Sequence, residues 1–173
     1  MKMAKKKFGI GTIVASIAIL LGIAAIVMMF VPQLNYNSAT GLVKGDPLNG
    51  LQITFGYSNE VLGKQVPVLD FSFMNLLTYI LVLVGIVFAL LAIMGKLGKI
   101  APIVAAAAFI VAGVFFFCAE QFMMVHVGDL TGDAASTIVD AFKELYTLGA
   151  GAIVGGILSI LAGVAVGAKV ILK

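Results

Sequence analysis

The chain has 173 residues, of which 62% are hydrophobic and 11% are charged, and its mean hydropathy is +1.17. A soluble domain carries about a quarter charged residues, so this composition excludes an ordinary soluble globular protein. The formal net charge of +3 averages over two very different sets of connecting segments. We predict a single membrane domain over residues 1–173, with no room for a second fold.

Long stretches without any charge define the predicted membrane spans. They are Phe8–Val43, Phe71–Gly95, Ile100–Ala119 and Leu145–Ala168. Because about 20 apolar residues cross a bilayer as a helix, each stretch is long enough to span it. The predicted fold is an all-α membrane protein, a four-transmembrane-helix bundle with a small antiparallel β-sheet in the first extracytoplasmic loop. The predicted helices cover about residues 10–31, 73–94, 100–124 and 134–170.

Lysines and acids are segregated between the connections. The N-terminus, the middle connection and the C-terminus hold only lysines, which are Lys2, Lys5, Lys6, Lys7, Lys96, Lys99, Lys169 and Lys173. The first and third connections hold all eight acids and the other three lysines, a net charge of −5. Since cytoplasmic loops are rich in lysine, both termini are predicted to be cytoplasmic in a multi-pass plasma-membrane protein. Anionic headgroups, rather than nucleic acid, are the expected partner of the lysine-rich face.

The first predicted helix begins after a basic segment that resembles the start of a signal peptide. Its apolar run, Phe8–Val31, exceeds the roughly 7–15 residues of a signal h-region and lacks an A-x-A exit. We therefore predict a retained transmembrane helix, which ends at Pro32. Small residues recur along one face at spacings of three and four and indicate close helix packing. They are Gly11, Ala15, Ala18, Gly22 and Ala25.

The first connection, residues 32–70, is predicted to form the β-sheet. Leu51, Ile53, Phe55 and Tyr57 alternate with Gln52, Thr54 and Gly56, a period of two that is typical of a half-buried strand. Turn residues before this segment suggest a hairpin with Thr40–Val43 as the partner strand. A further strand is predicted at Val66–Phe71, confined to an edge by Pro67.

The second outer connection is predicted to be helical. Asp133 is placed as the N-cap of a helix whose apolar residues recur at three and four from Ile138 onward. With no breaker before Gly149, the helix is expected to continue into the last span and to project beyond the bilayer.

The last span carries a small residue at every fourth position. The ladder is Gly151, Gly155, Ser159, Gly163 and Gly167. Such ladders let helices approach closely. Two alternatives remain open: packing within the monomer, against the first or third helix, or a face for self-association.

Groups for catalysis or metal binding are sparse. No charge lies inside a span, which argues against an ion-coupled transporter. His126, the only histidine, could bind a metal with Glu120 or Asp129, but such a site needs three or four ligands. The turn from Asp129 to Asp133 places its glycine at the fourth position, unlike a calcium loop. Cys118 is interpreted as a packing residue, and no catalytic, metal or cofactor site is predicted.

The overall layout resembles the claudin-type tetraspan architecture. The shared features are four spans, a larger β-forming first outer loop, a short inner connection and a helical second outer loop. With no tryptophan and one cysteine, the chain lacks that family's first-loop signature, so the resemblance implies no site residue. The segments Ile53–Tyr57 and Phe71–Leu77 are also similar to small four-span proteins of Gram-positive bacteria.

The leading functional hypothesis is a non-enzymatic membrane protein that acts by self-association or as a subunit or scaffold of a membrane complex. Its partners would be the bilayer and either itself or another membrane protein. Contacts are expected through the outer-loop residues Leu51, Ile53, Phe55 and Tyr57 and through the small-residue helix faces. The alternatives are an oligomeric channel or lipid-binding protein, and an immunity protein against a membrane-active toxin. An enzyme acting on lipid, supported only by Glu120 and His126, is the least favoured.

Overall fold

The computed structural model describes residues 9–37 and 45–172. In chain order the elements are α1 (Ile10–Val27), β1 (Pro32–Tyr36), β2 (Leu48–Asn49), α2 (Gly50–Phe55), β3 (Tyr57–Val61), β4 (Lys64–Leu69), α3 (Phe73–Ile93), α4 (Ile100–Phe117), α5 (Asp133–Glu144), β5 (Tyr146–Leu148) and α6 (Ala150–Ala168). A 3₁₀ turn, Met28–Phe30, extends α1. Four helices, α1 with its 3₁₀ turn, α3, α4 and α6, are long and apolar enough to cross a membrane, as in a multi-pass membrane protein.

The four long helices pack in a ring, with α1 beside α3 and α6, and α4 beside α3 and α6. Small residues fill the interior of the ring, where Ala15, Ala18, Ala105 and Ala112 are fully buried. Large apolar side chains such as Leu20 point outward and are exposed. A helix that is apolar on all sides needs an apolar surrounding, so this arrangement suits a bundle whose outer surface is in lipid.

The two long connections lie at one end of the bundle and form a cap, defined here as residues 31–37, 45–72 and 118–149. Its larger sheet has the antiparallel order β2-β1-β5. Tyr36 on β1 pairs with Tyr146 on β5, and Leu34 pairs with Leu148. The sheet therefore joins the connection between the first two spans to the connection between the last two spans. The predicted small antiparallel β-structure is present, but the strands of this larger sheet are not the predicted ones.

The strand predicted over Leu51–Tyr57 is wrong, because residues 50–55 form helix α2. A capping box starts this helix: the Asn49 side chain accepts from the Gln52 amide at 3.0 Å, and Gln52 Oε1 accepts from the Asn49 amide at 2.9 Å. Gly56, with φ of +96°, ends it. In so short a segment, alternating apolar residues fit a helix as well as a strand.

Replacing Asn49 with alanine removes the acceptor for the Gln52 amide. We expect this change to cost about 1 kcal/mol of local stability and to loosen α2, because an alanine N-cap leaves a helix donor without a partner. Hydrogen exchange of the Gln52 and Ile53 amides in detergent measures the loss. Asn35→Ala, at an exposed strand position in the same cap, is the matched control and should leave this exchange unchanged.

The third predicted strand, Val66–Phe71, corresponds to β4, which forms a hairpin with β3. Pro67 pairs with Ser58 and lies in a two-stranded sheet, where each strand is an edge, in agreement with the prediction. A two-residue turn of Leu62 and Gly63, both with positive φ, closes the hairpin. The partner strand predicted at Thr40–Val43 lies outside the described residues.

The continuous helix predicted over residues 134–170 is also wrong. It is interrupted between α5 and α6, because Tyr146–Leu148 leaves the helix to pair with β1. Gly149 secures the change of direction by donating its amide to the Gln33 carbonyl at 2.6 Å. At the start of α5, Gly132 rather than Asp133 is the N-cap. Helix α4 ends at Phe117 instead of 124, since the chain then turns and becomes extended at Val125 beside Leu69.

Candidate functional site

The glycine ladder of α6 packs inside the monomer. Gly151, Gly155, Ser159 and Gly163 are buried, and Gly167 is half-buried. A Cβ at Gly163 would lie 3.0 Å from the Ala106 carbonyl oxygen on α4, and one at Gly155 would lie 2.9 Å from the Phe116 ring. Within this chain the ladder therefore packs against the third span, α4, as the first of the two sequence alternatives predicts.

A further close approach of α4 and α6 uses a glycine outside the predicted ladder. A Cβ at Gly156 would lie 3.1 Å from the Gly113 carbonyl oxygen, and one at Gly113 would lie 3.0 Å from the Gly156 carbonyl oxygen. The two backbones thus face each other directly. The sequence contains the doublet Gly155-Gly156. The ladder was defined by a spacing of four residues, which includes Gly155 but not Gly156.

The predicted small-residue face of α1 also lies inside the bundle. Gly11, Ala15, Ala18 and Gly22 are all buried. At Gly22 a Cβ would lie 2.7 Å from the Phe109 ring, and at Gly85 on α3 it would lie 2.8 Å from the same ring. Phe109 of α4 therefore occupies a gap that only glycine leaves open on two neighbouring helices.

The four predicted outer-loop contact residues do not share a face. Ile53 is buried in the cap core, and Leu51 is half-buried. Phe55 is exposed, with its ring centroid 6.4 Å from that of Phe71. Tyr57, at the start of β3, lines a cleft on the cap. Because α2 is helical, the alternation that grouped these residues does not place them together.

Polar residues of the spans are buried in the bundle or bonded to their own helix, and the buried Ser159 hydroxyl has no hydrogen-bond partner among the described residues. Thr78 and Ser159 are buried, and the Ser16 hydroxyl donates to the Thr12 carbonyl at 3.0 Å. They leave no polar stripe along the outer surface of the described helices from which several copies could build a pore. The channel hypothesis therefore gains nothing from them.

His126 pairs with neither of the acids considered for it. Its Nδ1 lies 2.9 Å and 3.1 Å from the two carboxylate oxygens of Asp70. Backbone bonds reinforce the contact, since the His126 amide donates to the Val68 carbonyl at 3.0 Å. Within residues 9–37 and 45–172, no three His, Cys, Asp or Glu side chains converge as metal ligands. The Asp70–His126 pair links the end of β4 to the segment between α4 and α5.

A cleft of about 240 Å³ opens on the cap where its parts converge. Both sheets, α5 and the segment before β2 contribute to it. The lining residues are Tyr36, Gly45, Asp46, Tyr57, Asn59, Val68, Phe142 and Tyr146. Three of the chain's four tyrosines are among them. We refer to this space as the aromatic cleft.

The rings of the aromatic cleft hold one another in place. The Tyr146 centroid is 5.6 Å from that of Tyr36, edge to face, and 5.3 Å from that of Phe142. Burial, together with the nearby Tyr36, Tyr57 and Asp46, raises the pKa of Tyr146 above its usual value, so its phenol stays neutral at physiological pH. A Cβ at Gly45 would overlap the Tyr36 ring, so the backbone at this position packs directly against that ring.

Buried polar groups fix the cap to the helix ends. The Ser72 hydroxyl donates to the Phe122 carbonyl at 2.6 Å, and the Ser72 amide donates to the Thr54 carbonyl at 2.9 Å. Asn75 on α3 donates to the Ile53 carbonyl at 3.3 Å. The cap is therefore joined to the spans by specific hydrogen bonds.

Sequence reasoning missed most of the aromatic cleft. Its tyrosines come from β1, β3 and β5, and its acid comes from the segment before β2. One signal was available: apart from Tyr79, every tyrosine of this chain lies in an acidic connection or, as Tyr146, within two residues of one. Compared with family models, with curated proteins and with solved structures, the chain matches none of them.

Proposed function

We propose that this chain is a non-enzymatic integral membrane protein that acts by association, with the tip of the β3–β4 hairpin as its contact surface. The observation that carries the proposal is Leu62, which is 99% exposed at the hairpin turn with φ of +52°. A left-handed leucine costs conformational energy, and in the monomer its side chain buries nothing in return. Contact with another protein would bury it.

A second copy of the chain is the occupant that the charges favour. Glu60 and Lys64 flank the tip on opposite strands and are both exposed. Two hairpins related by a twofold axis can therefore place Glu60 of one beside the partner's Lys64 around a central Leu62 contact. Elsewhere the two acidic connections carry net negative charge and would repel a copy, which leaves the hairpin as the complementary patch.

In the proposed arrangement the cap is extracytoplasmic and the termini are cytoplasmic, in the plasma membrane. Lys96 and Lys99 lie in the turn between α3 and α4, and Lys169 follows α6, all at the end opposite the cap. This end would face anionic lipid on the cytoplasmic side. The hairpin would then meet a second copy in the same membrane from the outside.

Cysteine cross-linking tests the contact. In a Cys118→Ser background, which removes the native thiol, Leu62→Cys is expected to form a disulfide-linked dimer when isolated native membranes are oxidised. Leu130→Cys, an exposed apolar position in the connection between α4 and α5, is the control and should remain monomeric. The readout is the fraction of dimer on a non-reducing gel.

Exchanging the charges of Glu60 and Lys64 distinguishes a specific contact from random collision. Glu60→Lys alone should reduce the Leu62→Cys dimer, because it places like charges around the axis, and adding Lys64→Glu should restore it. Equal cross-linking at both cysteine positions contradicts the hairpin as the contact. A cross-link to a different membrane protein contradicts the self-association form and favours the role of a subunit or scaffold.

A further inference from the structure

The aromatic cleft has the composition of a cation site. Rings of Tyr36, Tyr57, Phe142 and Tyr146 line it, and their quadrupoles attract a positive charge held within about 6 Å of a ring centroid. Tyr146 forms the buried base, and the other three rings are half-buried around it. An apolar ligand would also fit such walls, so the charges of the cleft must decide its preference.

The charge of the cleft and of its surroundings is negative. Among the described residues of the lining, Asp46 is the one acidic or basic side chain, and Asn59 is a neutral amide. The two connections that form the cap carry eight acids and three lysines, a net charge of −5. Such a surface raises the local concentration of cations and repels anions. A neutral apolar guest would gain nothing from either feature.

The shape and polarity of the cleft favour a small quaternary ammonium group. Primary ammonium ions need several hydrogen-bond acceptors, whereas a quaternary ammonium needs none and makes its contacts through methyl groups. The described lining of the cleft has one side-chain carboxylate and one side-chain amide, compared with four aromatic rings. At about 240 Å³ the space is smaller than a drug-sized pocket of about 300–1,000 Å³ and suits one headgroup-sized cation.

We infer that the aromatic cleft binds a quaternary ammonium group of the choline type, with Tyr36, Tyr57, Phe142 and Tyr146 around the cation and Asp46 as its counter-ion. Such a group occurs free in solution and on the headgroup of choline lipids. The inference concerns the cleft beside the β3–β4 hairpin rather than the hairpin turn itself, and it does not depend on association through Leu62.

Intrinsic tyrosine fluorescence provides a direct assay. The chain has no tryptophan, and three of its four tyrosines line the cleft. Purified protein in a maltoside detergent, titrated with choline chloride at constant ionic strength, should show a saturable change. Sodium chloride should give none. The neutral analogue 3,3-dimethylbutan-1-ol, which replaces the charged nitrogen with carbon, should bind at least about tenfold more weakly, since it lacks the cation–π attraction.

Matched variants locate the binding. Phe142→Leu should weaken choline binding about two- to thirtyfold, the range expected for one lost cation–π contact, while Phe55→Leu, an aromatic position outside the cleft, should not. Asp46→Asn should weaken it, and Asp129→Asn, an exposed acid elsewhere in the cap, should have little effect. Asp46 is exposed, so its variant keeps the inference testable if Phe142→Leu unfolds. Choline binding that is absent, or equal to that of the neutral analogue, overturns the inference.

Nanodiscs distinguish the two sources of the group. If the lipid headgroup occupies the cleft, protein in phosphatidylcholine nanodiscs should already show the shifted fluorescence and should respond little to free choline. Protein in phosphatidylglycerol nanodiscs should retain the full response. Equal choline responses in both lipids assign the site to the free cation. A response to N-acetyl-lysine amide that exceeds the response to choline contradicts the quaternary class and indicates a lysine side chain of a partner.

Discussion

Replacing Gly163 with leucine is expected to destabilise the bundle by at least about 3 kcal/mol, the upper end of the usual cost of overpacking. The first atom of the new side chain would lie 3.0 Å from the Ala106 carbonyl oxygen and 3.3 Å from the Ile110 amide nitrogen. Both are backbone atoms of α4, so rotation of a neighbouring side chain cannot relieve the contact. Thermal unfolding in detergent, followed by circular dichroism, measures the loss.

The adjacent Val164 supplies the matched control. It is 60% exposed on the same helix, and Val164→Leu should leave the melting temperature within about 1 °C, since surface changes usually lie within about 0.5 kcal/mol. The pair of variants also decides between the two interpretations of the ladder. Loss of self-association with unchanged monomer stability in Gly163→Leu would show that the ladder is an intermolecular face and would contradict its packing against α4.

Phe109→Ala should cost about 3–5 kcal/mol, the range measured for large aromatic residues in cores. The ring is fully buried where α1, α3 and α4 meet, in the gap left by Gly22 and Gly85. Neither glycine has a side chain that could fill the space. We therefore expect a lower melting temperature and, by hydrogen exchange, weaker protection on all three helices.

Two comparisons make the Phe109 result specific. Phe73→Ala removes the same atoms from an exposed position at the start of α3 and should have little effect. Gly22→Ala should destabilise by itself, because its methyl would lie 2.7 Å from the Phe109 ring, and adding Phe109→Leu should cost less than the sum of the two changes. Strict additivity would mean that residues 22 and 109 are not in contact.

The spans could be predicted from sequence because their signal is local and continuous. The second span, α3, covers Phe73–Ile93 against a predicted 73–94, because its uncharged apolar run ends at Gly95 and Lys96. The small faces of α1 and α6 were likewise identified by spacing alone. What spacing could not supply was the partner of each face, which depends on how four helices are arranged around one another.

The cap was harder to predict because its signals are short or distant. The capping box of Asn49 and Gln52 was present in the sequence, but the alternating apolar residues concealed it. The break before α6 depends on a pairing between Tyr36 and Tyr146, which are 110 residues apart, and no local pattern records it. For the same reason the aromatic cleft, which collects side chains from separate strands and from α5, could not be assembled from sequence alone.

The pairing of β1 with β5 has a consequence for the order in which the protein can mature. The strand that follows the first span cannot complete its sheet until the segment immediately before the last span has been synthesised. A ribosome that stops before Tyr146 leaves one edge of β1 open and only part of the aromatic cleft assembled. Quality-control proteases that recognise exposed strand edges could therefore distinguish a truncated chain from a finished one at the membrane surface.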